Sequence, residues 1–346
     1  MMQISPEIQL FIREHSSDDV RVLALQAKKY PDIDMPTVIT QIAGRKVAAE
    51  KIPSWWEIEK IWYPKHLSLE QCSSEITARY KARLLQGDSL TDLTGGFGID
   101  CSFLATGFKS ATYVERQEEL CEIAAHNFPV LNLNHINIKN EDGVTYLQAM
   151  SPVDCLFLDP ARRNEHGGKT VAISDCEPNV AELEELLLQK ANRVMIKLSP
   201  MLDLSLALKE LKQTQEVHIL SVNNECKELL ILLGQTSPAE ISIHCVNLFT
   251  KGTQKEQHFV FTREQEQCSE CTYTDSLETY LYEPNASLLK AGAFRSIAAA
   301  YPVRKLHPNS HLYTSDTFIE NFPGRIFRIV NQCSFNKKEV KENLAE

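Results

Sequence analysis

Five positions have the types and spacing to do chemistry together. Asp92 ends an apolar run and is followed by the turn Thr94-Gly95-Gly96-Phe97-Gly98. Gly96 and Gly98 lack Cβ atoms, so the backbone can curl closely around a ligand while the Asp92 carboxylate holds a polar group beside the turn. The next apolar run, Ala111 to Val114, ends at Glu115, an acceptor placed where a neighbouring strand meets a ribose. Further on, Val153 to Leu158 leads into Asp159-Pro160, a carboxylate beside a backbone carbonyl. Together these read as a nucleotide-bearing cofactor site with a doubly accepting corner next to it.

The elements that must position them alternate. Strands are predicted at 88–93, 111–115, 134–139, 153–158, 193–198, 217–223 and 228–233, with helices near 99–106, 117–128, 143–149, 178–190 and 203–212. The last two strands flank Asn224-Glu225-Cys226, which reads as an antiparallel hairpin. Ribose recognition at Glu115 suits both NAD and S-adenosylmethionine. The dinucleotide fingerprint needs a third glycine, and Cys101 stands there instead. A dehydrogenase sheet would also keep a parallel edge, so NAD fits poorly.

Asp-x-Thr-x-Gly-x-Gly at 92–98, the acidic strand end at Glu115 and Asp-Pro-Ala-Arg at 159–162 resemble the class I S-adenosylmethionine-dependent methyltransferases. The nearest group is the bacterial one with a ferredoxin-like insert and a C-terminal THUMP-like domain, a resemblance that runs the whole length. It implies a Rossmann-like α/β core with a seven-stranded mixed sheet over 87–235. It also implies a helical N-terminal domain over 1–86, a ferredoxin-like small domain over 236–279 and a THUMP-like domain over 280–346. Within it, Asp92, Thr94, Gly96, Gly98, Glu115, Asp142 and Asp159 are expected to bind S-adenosylmethionine, Asp142 through the adenine amino group.

Methyl transfer is an in-line displacement at a sulfonium carbon and requires no metal or covalent intermediate. Asp159 and the Pro160 carbonyl would hold the N–H groups of an amine and leave its lone pair facing the methyl. A helix before the first strand is expected to cover the cofactor, which marks Thr77, Tyr80 and Lys81 for substrate binding. Arg162 and Lys197 are candidates to meet a phosphate or carboxylate at the mouth. The expected acceptor is a nitrogen of a base in RNA. A small-molecule or protein methyltransferase, or a non-catalytic RNA-binding protein that keeps a cofactor pocket, is the alternative.

Two departures bear on the substrate. Ala161 and Arg162 follow Asp159-Pro160 where amino-directed nucleic-acid methyltransferases carry a stacking aromatic, so stacking would fall to Trp55, Trp56 or Tyr80. Ile196-Lys197-Leu198-Ser199-Pro200 lacks the cysteine of uridine C5 enzymes, which argues against covalent C5 chemistry.

Composition sets the remaining expectations. The net charge of −10 is unfavourable for nucleic acid as a whole, but Lys and Arg outnumber Asp and Glu nine to six over 280–346. No apolar run reaches membrane-spanning length and the first residues carry no basic-then-apolar segment, so the cytoplasm is the expected location. Ten cysteines in 346 residues are too sparse for a disulfide scaffold. Cys268-Ser269-Glu270-Cys271 lacks a second pair or a nearby histidine at ligand spacing, so no metal is expected, and His66, His166 and His307 have no spacing that compels catalysis.

Overall fold

The computed structural model describes residues 4–162, 172–236, 238–333 and 336–343. Two units divide the chain: Met1–Gln213 with Leu232–Ser237, and Thr214–Ile231 with Pro238–Glu346. Among the described residues no helix is long and apolar enough to cross a membrane.

The first unit starts with helices Pro6–Glu14, Val20–Leu25 and Met35–Lys51. Pro36 lies in the first turn of the third, where its missing N–H costs nothing. Phe11, Leu23, Met35, Val38 and Ile42 form a small core between them. A second cluster joins Ala48, Ile52, Trp55, Ile61, Tyr63 and Ala78 to Phe97 and Ile99 of the glycine turn and its helix, so the helical part shares a core with the site. Trp55 meets Phe97 edge-on at 5.2 Å and Trp62 stacks on His126 at 3.8 Å, while Trp56 stays exposed.

Among the described residues, five strands of the large sheet follow in this unit: β1 (Ser89–Asp92), β2 (Ser110–Glu115), β3 (Ile136–Asn140), β4 (Val153–Leu158) and β5 (Ala191–Leu198). They lie in the order β5-β4-β1-β2-β3, all parallel, with Leu90 opposite both Ala111 and Cys155. Chain order reverses between β1 and β4, which opens a crevice beyond the carboxyl ends of these strands. Asp92, Glu115 and Asp159 all sit at that edge because each ends or immediately follows its strand.

The second unit supplies β6 (Thr214–Val222), β7 (Glu225–Gly234), β8 (Ser242–Leu248) and β9 (Glu256–Phe261), with the last residues of β7 counted in the first unit. Asn223 and Asn224, at φ of 50° and 68°, make the tight turn between β6 and β7, one residue earlier than predicted. β8 pairs in parallel with β6, and β9 pairs antiparallel with β8. The mixed sheet therefore has nine strands where seven were predicted. Alternation of apolar and polar residues along β8 and β9 marks each as a strand but does not fix its neighbour.

A separate antiparallel sheet is built from β10 (Tyr280–Pro284), β11 (Arg304–Lys305), β12 (Tyr313–Ser315) and β13 (Gly324–Arg328), in the order β11-β12-β10-β13. Pro284 ends β10 opposite Gly324. Asn285 caps the helix Ala286–Ala291 through its side chain, and Gly292 closes it at φ of 76°.

Candidate active site

The glycine turn is held from both sides. Asp92 is 1% exposed, and its Oδ1 accepts the Thr94 N–H at 2.9 Å. Its Oδ2 is buried without a hydrogen-bond partner among the described residues. Burial pushes this carboxyl well above the usual range, and the nearby Asp100, Asp159 and Glu115 push the same way. An orphaned acceptor of this kind fits a cationic N–H donor from a ligand.

Gly96 and Gly98 adopt φ of 53° and 86°, which side-chain-bearing residues resist. A Cβ at Gly95 would lie 2.2 Å from the Tyr113 ring, whereas one at Gly96 would have nothing closer than 3.8 Å. Gly95 is thus demanded by packing and Gly96 by conformation, with space left above it. Tyr113 donates its hydroxyl to the Gly96 carbonyl at 2.5 Å. Glu115 accepts the Gly96 N–H at 2.9 Å and the Gln117 N–H at 2.8 Å, one on each oxygen. A carboxylate has about four acceptor sites, so two remain for hydroxyls.

The corner at Asp159 is tied to the turn, because its N–H donates to Thr94 Oγ1 at 2.6 Å. Pro160 is buried and Ala161 exposed. Lys197 Nζ lies 2.6 Å from Asp159 Oδ2 and 3.5 Å from Asp100 Oδ2, and donates to Ser73 Oγ at 3.1 Å. Lys81 Nζ lies 3.0 Å from Asp100 Oδ1 and donates to Ser73 Oγ at 2.9 Å, while Ser73 Oγ donates to Asp100 Oδ2 at 2.6 Å.

Two cations, two carboxylates and one hydroxyl thus form one partly buried network. Burial opposes charge on Asp100, but Lys81, Lys197 and the Ser73 hydroxyl outweigh it and hold its carboxyl below the ordinary range. At Asp159 the balance reverses: the walls around it raise the carboxyl although Lys197 lowers it.

The other candidates are distributed unevenly around this centre. Asp142 caps the helix Gly143–Ala149, with Oδ1 accepting the Val144 and Thr145 N–H groups at 3.0 Å each. Thr77 is buried and donates to the Ser74 carbonyl at 3.0 Å. The Tyr80 ring packs under the Arg83 guanidinium at 4.6 Å, and Lys81 is fully buried in the network. The Arg162 side chain, Arg163 and His166 lie outside the described residues. Ser73 and Asp100 were not singled out as site residues by the sequence. Asp100 did carry a signal, being an acid among the buried Ile99, Cys101 and Leu104 of one helix. Ser73 carried none.

A ferredoxin-like domain model matches residues 280–323, within the stretch where the resemblance implied the THUMP-like tail. Comparison with curated proteins gives no match. Among solved structures, a "putative methyltransferase" from Porphyromonas gingivalis W83 is 35% identical, covers 97% of this chain and 84% of its own, and superposes with a TM-score of 0.85. Two others match 46% of the chain at a TM-score of 0.33. One is SMU.1697c, a "putative methyltransferase" from Streptococcus mutans in complex with SAH, 13% identical over 96% of its own length. The other is an rRNA methylase from Streptococcus thermophilus, 14% identical over 93% of its own length. By its match to the P. gingivalis protein over 97% of its length, this chain belongs to the class I S-adenosylmethionine-dependent methyltransferases that carry a ferredoxin-like domain.

Proposed function

We propose that the chain transfers a methyl group from S-adenosylmethionine to a nitrogen of a base in RNA, at the corner formed by Asp159 and Pro160. The observation that carries this reading is the hydrogen bond from the Asp159 N–H to Thr94 Oγ1 at 2.6 Å, which couples the accepting corner to the glycine turn. When bound, the donor supplies an electrophilic methyl on a sulfonium centre. Asp92 Oδ2 would take its ammonium, the open acceptor sites of Glu115 its ribose hydroxyls, and Asp142 its adenine amino group.

The substrate side follows from the same geometry. Asp159 and the Pro160 carbonyl accept the two N–H groups of an amine, which fixes the nitrogen lone pair toward the incoming methyl. Lys197 holds the Asp159 carboxylate in place and offsets its charge. Attack on the methyl would break its bond to sulfur, which would leave as a neutral thioether, and turn the nitrogen cationic; Asp159, with its raised proton affinity, is the base within reach of the departing proton. The Lys and Arg excess over 280–346 permits an anionic polymer as the acceptor, and fits a metabolite or protein equally well.

Ala161, exposed where a stacking aromatic would stand, favours a second reading in which the amine belongs to a small molecule or a protein. Incubating the chain with methyl-radiolabelled donor and separate RNA, protein and metabolite fractions distinguishes them. Label in RNA that nuclease digestion places on a base amine supports the proposal. Label only in another fraction overturns the RNA assignment.

A further inference from the structure

Three histidines and a glutamate gather on one face of β6, β8 and β9. Glu216 and His218 are two apart on β6 and so point the same way. His244 on β8 lies directly opposite His218, and Ser242, on the same face, lies opposite Glu216. On β9, His258 is opposite Val246 and therefore diagonal to His244. The His218 and His244 rings stack at 4.3 Å, those of His244 and His258 at 5.3 Å.

We propose that Glu216, His218 and His244 bind a divalent transition metal of the zinc class, with His258 orienting His244. One ligand atom from each of the three lies within 4.8 Å of the other two. Around a tetrahedral zinc ion with bonds of about 2.0–2.2 Å, ligand atoms stand roughly 3.4 Å apart, so small side-chain rotations close the set. His218 Nε2 is already 3.2 Å from Glu216 Oε2. His244 Nδ1 is 3.2 Å from His258 Nε2, an arrangement that fixes the ring and leaves its other nitrogen for the metal.

The donor chemistry selects the ion. Two imidazoles and one carboxylate suit zinc and its neighbours better than magnesium or calcium, which prefer all-oxygen shells. His218 is buried, His244 partly buried and His258 exposed, so the set opens from the sheet interior toward solvent. Spacing along the chain hides this set because its members are neighbours in the sheet.

Chelator-treated, desalted full-length chain titrated with Zn²⁺, and with Co²⁺ for its spectrum, tests the site without any need for methyl transfer. One equivalent should bind, the cobalt spectrum should show nitrogen and oxygen ligation without thiolate charge transfer, and saturating Zn²⁺ should raise the unfolding temperature. His244→Gln and Glu216→Gln should each weaken binding by about tenfold or more. Glu216 has a side chain one-third exposed, so Glu216→Gln keeps the fold and its circular dichroism. Absence of binding up to millimolar Zn²⁺, unchanged affinity in both variants, or thiolate bands pointing to cysteines such as Cys268 and Cys271 would overturn the proposal.

Discussion

Lys197 Nζ bridges Asp159 Oδ2 at 2.6 Å and Asp100 Oδ2 at 3.5 Å, so one cation links the accepting corner to the helix that follows the glycine turn. The proposed acceptor corner is therefore braced by a connected set of residues behind it. Lys81 and Ser73 fix Asp100, Asp100 helps fix Lys197, and Lys197 fixes Asp159.

Replacing Lys197 by Met removes the clamp and leaves Asp100 still paired with Lys81. We expect kcat to fall by about a hundredfold, the range for losing one preorganised electrostatic partner, with donor affinity little changed. Steady-state kinetics beside donor calorimetry checks this. A variant that loses donor binding but not turnover would give Lys197 a different role.

Glu115→Ala removes the acceptor of the Gly96 and Gln117 N–H groups together with the expected ribose contacts. Loss of hydrogen bonds to a charged group, about 1.5–3 kcal/mol, corresponds to roughly ten- to hundredfold weaker donor binding. Glu115→Gln keeps only one oxygen acceptor and should fall between. Isothermal titration with S-adenosylmethionine orders the three.

Asp92→Asn separates stability from binding. The folded-state pKa of Asp92 is raised, so folded protein holds that proton more tightly than unfolded chain does. Its contribution to stability is fully present below the unfolded value of about 3.9 and is lost as pH rises toward the folded value. At neutral pH the ligand-free variant should thus melt higher than wild type, with the gap shrinking as pH falls to about 4. Its donor affinity should drop. Melting curves across pH, with and without donor, report both.

Gly95→Ala should destabilise the free protein by about 1–3 kcal/mol, since the new methyl must displace the Tyr113 ring 2.2 Å away. Gly107→Ala meets nothing nearer than 3.7 Å and serves as the tolerant control. Denaturant unfolding of both compares them.

The glycine turn and the acidic ends of β1 and β2 are legible in the sequence because a strand end, a conformational demand and an acceptor coincide within a short stretch. The Asn223-Asn224 turn is legible to within one residue for the same local reason. The network around Asp100 is not, since Ser73, Lys81 and Lys197 converge on it only after the helix Glu75–Ala82 packs beside Ile99–Ala105 and β5 takes its place next to β4. Parallel pairing of β8 with β6 is equally hidden, because alternation fixes which face a side chain takes but not which strand lies beside it. Lys81 shows the cost: its helix marks it for substrate binding, yet its side chain is fully buried against Asp100 and Ser73.

The most direct measurement of the central claim is methyl transfer by Asp159→Ala, made alongside its affinity for S-adenosylmethionine. With Asp159 as the acceptor of the amine N–H, the variant should bind the donor and lose turnover by about a hundredfold or more. Wild-type turnover in a variant that binds donor normally would contradict it.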